Sequence, residues 1–186
     1  YERLRPQAVI LSGSPASVAD AGSPRVPDAI LAADVPLLGI CYGEQVLCEQ
    51  TGGKVGGSGH REFGRADITI VDDCALFDGV WKKGDRPHVW MSHGDRIDAI
   101  PPGFRAVAVS DGAPFAAIAD DVRRRYGVQF HPEVVHTPDG AALLKNFVTK
   151  VAGMSATWSM AGFRAAKIAE IREQVGDGKV LCGLSG

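Results

Sequence analysis

Cys41 stands in Gly39-Ile40-Cys41-Tyr42-Gly43 behind an apolar run, and His131-Pro132-Glu133 follows a second apolar run further along the chain. A thiol nucleophile, an imidazole base and a carboxylate able to orient that base are the parts needed for acyl transfer at an amide. The tetrahedral intermediate of such a reaction also needs positioned N–H donors for its oxyanion. One donor is expected from Tyr42, the residue after the nucleophile, and the turn Ser12-Gly13-Ser14-Pro15 is a source for the other.

The elements that must position these groups follow from the flanking residues. Val35 to Ile40 is nearly all apolar, as expected of a strand buried on both faces of a parallel sheet. Glu44 to Thr51 reads as a helix stopped by Gly52-Gly53, so Cys41 falls on a sharp strand-to-helix turn, the thiol version of a nucleophile elbow. A helix N-terminus favours the thiolate, which predicts a lowered thiol pKa. Val128 to Phe130 reads as a strand, and Pro132 keeps His131 out of the helical region. In an extended segment Glu133 lies on the same side as His131 and can fix its tautomer. A lone cysteine packs like a small hydrophobe. The flanking glycines and the His-Pro-Glu segment favour the nucleophile.

Ala8–Leu11, 66–71, 105–110 and 115–119 read as further strands, which makes the first part α/β and the middle β-rich. Helices are expected over 140–151 and 161–175, with a linker over 153–160 between them. The 186 residues, 45% apolar and 23% charged, suffice for one full core. A net charge of −2 argues against a partner bound through phosphate contacts, so no nucleic acid is expected. Arg123-Arg124-Arg125, beside Asp120-Asp121, reads as an exposed hairpin end. The cysteines at 41, 48, 74 and 182 have no metal-ligand spacing, and no apolar run is long enough for a membrane span. No metal and no membrane partner are expected, and a thiol nucleophile suits a reducing cytoplasm.

Several segments carry a family resemblance. Gly-Ile-Cys-Tyr-Gly-Glu-Gln at 39–45, Val-Gln-Phe-His-Pro-Glu-Val at 128–134 and Ser-Gly-Ser-Pro at 12–15 resemble the class I, triad-type glutamine amidotransferases. Arg61-Glu62-Phe63-Gly64, Val89 to Asp95 and His136 to Gly140 are similar to the glutamine-hydrolysing GMP synthases within that group. The resemblance implies an α/β fold with a mostly parallel central sheet flanked by helices and a β-rich insertion. It implies a catalytic triad of Cys41, His131 and Glu133, with backbone oxyanion donors at Ser14 and Tyr42. Glutamine would be held by Gln45 and by a loop bearing Ser92, His93 and Asp95. Ammonia would pass to a site where ATP, with Mg, activates xanthosine monophosphate (XMP) for amination to GMP. The full-length enzymes would be homodimers.

The resemblance also places residues 1–152 in an amidotransferase domain that lacks the family's usual first strand and helix. It places 161–186 at the start of an ATP-pyrophosphatase domain, with Ser185 and Gly186 opening its phosphate loop. On that reading, residues 1–186 hold no cofactor, lack the adenylation machinery and hydrolyse glutamine poorly. Ser14 stands where the family usually has glycine, Glu44 where it has an apolar or amide residue, and Gly59-His60 where some relatives have polar residues. A carboxylate at Glu44 is expected to raise the Cys41 pKa unless it points to solvent. Two alternatives stay open: a stand-alone γ-glutamyl amide hydrolase or subunit of another synthase, and an inactive remnant that only binds a partner.

Overall fold

The fold is described from a computed structural model, which covers residue 1, residues 3–155 and residues 159–183; of residues 58–60 the backbone alone is described. The chain divides into two compact units, Tyr1–Met154 and Ser155–Gly186.

In the first unit a six-stranded sheet is built from β1 (Val9–Leu11), β2 (Leu37–Ile40), β4 (Thr69–Ile70), β6 (Arg105–Val109), β7 (Ala117–Asp120) and β8 (Arg125–Val128), in the order β1-β2-β8-β7-β6-β4. β1, β2 and β8 are parallel. β8-β7, β7-β6 and β6-β4 are antiparallel, so the sheet is mixed rather than mostly parallel. The short links at 110–116 and 121–124 account for the β7-β6 and β8-β7 pairings, since a hairpin joins only antiparallel neighbours. At one hairpin Arg124 takes a positive φ of 55°, Arg123 pairs with Asp120 at 2.9 Å and Arg124 with Asp34 at 2.9 Å. Arg125 donates to the Leu31 carbonyl, so the arginine run is spent on contacts within the fold.

β2 is buried along its whole length, and α2 (Tyr42–Gln50) packs against it. Close approach is written in two glycines. A Cβ on Gly43 would stand 2.0 Å from the carbonyl oxygen of Leu11, and one on Gly39 2.6 Å from the backbone N of Glu44. A second sheet pairs β3 (Lys54–Asp67) with β5 (His88–Ala99) in antiparallel register. Residues 92–95, expected in a loop, therefore lie inside a long strand. Gly94 interrupts its alternation, which is why the sequence pattern hides it.

A four-residue helix, α1 (Asp28–Leu31), precedes β2. The expected helix over 140–151 begins as α3 (Gly140–Asn146) and widens to π-helical turns over Phe147–Val151, with Leu143, Phe147 and Val151 buried in the main core. The second unit contains α4 (Met160–Val175), capped by the Ser159 hydroxyl, which accepts from Gly162 N at 3.1 Å. Gly176, at φ 52°, ends it. Ser185 and Gly186 lie outside the described residues. Among the described residues no helix is long and apolar enough to cross a membrane.

Candidate active site

The parallel strands end together, and the groups singled out by their chemistry gather at that end. Cys41 adopts φ 53° and ψ −108°, the strained elbow conformation that turns β2 into α2 and points the side chain away from both. The glycines before and after it make this turn possible. The Cys41 N–H donates to the Val128 carbonyl at 2.8 Å, tying the elbow to the end of β8.

His131 and Glu133 follow β8. Their pairing is direct, Nδ1 to Oε1 at 2.7 Å, although the two meet across a turn rather than along an extended segment. That bond assigns the proton to Nδ1 and leaves Nε2, which is buried without a hydrogen-bond partner, free to accept one. Gly13 shows how near the imidazole and thiol lie: a Cβ there would be 3.2 Å from His131 Cε1 and 3.7 Å from Cys41 Cβ. The loop bearing His131 is stitched to β5 at both faces of its backbone. The His131 N–H donates to the Trp90 carbonyl at 2.9 Å. The buried Thr137 hydroxyl donates to the His131 carbonyl at 2.7 Å and accepts from Trp90 N at 3.1 Å. Behind it, a Cβ on Gly140 would stand 2.0 Å from the Pro132 carbonyl oxygen, so α3 abuts the same loop.

The thiol does not behave as expected from the helix terminus. Burial pushes Cys41 up to about 11, with the Tyr42 N–H opposing and Glu44 and Glu133 adding to the rise. At 4% exposure, desolvation of the charged form outweighs the helix end. A thiol so held is neutral at rest and becomes a nucleophile by giving its proton to a base. Glu44 is the surprise of the site. It is fully buried, it packs against the face of Gly127, and neither carboxyl oxygen has a hydrogen-bond partner. Burial raises its pKa well above the usual 4.5.

An open cleft runs past the thiol, lined by Gly13, Ser14, Cys41, Gln45, Arg61, Ser92, His93, Asp95 and His131, among others. Every predicted residue in the first unit except Tyr42 and Glu133 faces it. Tyr42, the first residue of α2, directs its N–H at the Cys41 sulfur, and its hydroxyl donates to the Pro24 carbonyl at 2.6 Å. Ser14 is outside the positive-φ region, so its side chain costs no strain, and its hydroxyl accepts from Ala16 N at 3.2 Å. Gln45 has both N–H groups committed, to the Asp95 carbonyl at 2.9 Å and to Gln129 Oε1 at 3.0 Å. His93 is buried, donating from Nδ1 to the Asp95 carbonyl at 2.9 Å, with Nε2 3.2 Å from Glu62. Glu62 is held in turn by the Ser110 hydroxyl at 3.1 Å. Glu62, Thr137 and Gln129 were visible only as members of motifs; their contacts come from strand pairings with no trace in local pattern.

Residues 1–151 match the family model described as glutamine amidotransferase class-I. The chain belongs to this family. Among solved structures, a glutamine amidotransferase from Thermotoga maritima superposes with a TM-score of 0.52 at 27% identity, covering 80% of this chain and 60% of that one. A Thermoplasma acidophilum protein, described provisionally as one component of a GMP synthase, gives 0.62 at 28% identity over 76% and 65%. Over all 186 residues the chain is 62% identical to a glutamine-hydrolysing GMP synthase of Rhodopseudomonas palustris and 60% identical to one of Allorhizobium ampelinum, covering 34% and 36% of their lengths. The amidotransferase chain thus spans about a third of the length of the curated relatives it matches.

Proposed function

We propose that this amidotransferase hydrolyses glutamine at Cys41 and that, in the manner of its GMP synthase relatives, the ammonia serves the ATP-dependent amination of XMP to GMP. The observation that carries the chemistry is a buried thiol on an elbow beside an imidazole whose Nδ1 proton is fixed by Glu133 at 2.7 Å. His131 Nε2 takes the Cys41 proton as the sulfur attacks the amide carbon, and the N–H groups of Tyr42 and Ser14 hold the oxyanion. The C–N bond breaks, the leaving nitrogen takes the proton from His131, and ammonia departs from a γ-glutamyl thioester. Water, deprotonated by the same imidazole, releases glutamate and restores the thiol.

The substrate's far end is a zwitterion, and the cleft offers one group of each sign for it: Arg61 for the α-carboxylate and Asp95 for the α-amino group. Ser92 and His93 shape the strand between them. The 62% identity to a GMP synthase supports XMP and ATP as the downstream partners, acting at a site beyond these residues. A homodimeric whole and a reducing cytoplasm belong to the same reading.

The test is ammonia release from glutamine by the purified chain, alone and mixed with the synthetase portion of a relative, XMP and ATP. Glutaminase activity and glutamine-dependent GMP formation are both expected. Cys41→Ser should lower both by at least about 10³-fold while leaving GMP formation from added ammonia intact. Ammonia release that survives Cys41→Ser would refute the assignment.

A further inference from the structure

Gln129 carries a polar group that the reaction described so far does not use. β2 and β8 are parallel with Ile40 opposite Val128, so the next residues, Cys41 and Gln129, stand side by side at the strand ends. Gln129 is 1% exposed, and its Nε2 is buried with no hydrogen-bond partner. Buried amide N–H groups are rarely left so.

Three bonds decide which end of that amide faces the sulfur. The Asp95 carbonyl only accepts, and it takes N–H groups from His93 Nδ1 and Gln45 Nε2, each at 2.9 Å. The remaining Gln45 N–H then goes to Gln129 Oε1 at 3.0 Å. With its oxygen held there, Gln129 must turn Nε2 away from Gln45, toward its neighbour Cys41. Nε2 is thus an unspent buried donor beside the thiol, and its influence there opposes the rise that burial imposes.

We propose that Gln129, aimed by Gln45, is the hydrogen-bond donor that holds the Cys41 sulfur as thiolate, during attack and again when thiolate leaves the thioester. No bond to Gln129 is made or broken; it changes the charge the sulfur can carry. The other charged or titratable groups around the sulfur are Glu44 from α2, His131 and Glu133 from the loop after β8, His93 and Asp95 from β5, and Arg61 from β3. Glu44 and Glu133 raise the thiol's pKa through their charge, and both stay in place when Gln129 is replaced, so the donor's effect is separable from theirs.

The inference rests on Cys41 as nucleophile, and its test avoids glutamine so that the two can fail separately. Iodoacetamide alkylation of Cys41, followed at that peptide by mass spectrometry across pH, reads the thiolate directly. Gln129→Met should move the midpoint up by about one pH unit, a tenfold slower reaction below it. Gln45→Met, which keeps Gln129 but frees its oxygen, should shift it in the same direction by less, and it serves alone if Gln129→Met does not fold. With glutamine, kcat should fall in both variants by more than KM rises. An unmoved alkylation midpoint in the variants that fold would overturn the proposal, as would a rise in KM alone.

Discussion

His131→Asn should cost about 10³-fold in glutaminase kcat/KM at pH 8 and then win back about tenfold for each unit of pH above it. Both numbers come from the thiol. Burial is the main cause that holds Cys41 at about 11, and an asparagine in place of the imidazole is expected to keep the thiol covered. At pH 8 a thiol of that strength is ionised to about one part in 10³, and the variant can react only through that fraction. Its rate must therefore climb with hydroxide until the thiol itself titrates. The wild-type enzyme should be level over the same range, because Nε2 takes the proton during attack. Rates of the variant and wild type measured from pH 7 to 10.5 check this. A variant profile that is flat would mean a thiolate already formed at rest.

Glu44→Met should stabilise the chain, and the gain should grow with pH. The carboxyl is buried with neither oxygen satisfied, and its pKa is raised well above 4.5 by that burial. The sign follows from proton binding. Above pH 4.5 the unfolded chain releases this proton while the folded chain keeps it, so the folded state binds more protons and loses stability as pH rises. The loss runs at about 1.4 kcal/mol per pH unit from the unfolded pKa up to the folded one, and levels off beyond it. The stability contributed by the neutral carboxyl is thus fully present below pH 4.5. Between pH 5 and pH 8, urea unfolding should show the gap between Glu44→Met and wild type widening as pH rises. Glu44→Gln separates the two costs: it removes the titration but leaves an unpaired polar group, so its curve should run parallel to that of Glu44→Met and lie below it. Parallel curves for Glu44→Met and wild type would place the carboxyl in water.

The position of Glu44 also shows where a sequence stops being readable. A carboxylate in the first turn of a helix has a favourable place near the positive end of the dipole and is ordinarily solvated. Here the side chain is pressed against Gly127 of β8, and that contact comes from a strand some eighty residues away in sequence. The same burial reverses the expected direction for the Cys41 thiol. The identity of the reacting groups was legible: the glycines around Cys41 require an elbow, and His131 lies two residues before its partner Glu133. Strand existence was legible where alternation was clean, as at 105–109 and 117–120. β5 was not, because Gly94 and the polar residues around it imitate a turn, yet Ser92 to Asp95 pair along β3 and form one wall of the cleft. The mixed sheet escaped for a related reason, since periodicity says a strand exists but not which neighbour it takes. Gln129, whose orientation depends on bonds from β5, α2 and β8 together, lies furthest from local pattern.

The claim on which the rest depends is that Cys41 carries the acyl group of glutamine. The direct measurement is to quench the chain with acid during turnover of carbon-labelled glutamine and map the label by peptide mass spectrometry. Label confined to the Cys41 peptide, released by hydroxylamine and lost in Cys41→Ser, is the expected result. Ammonia released with no label on Cys41, or label on Cys182 instead, would contradict it.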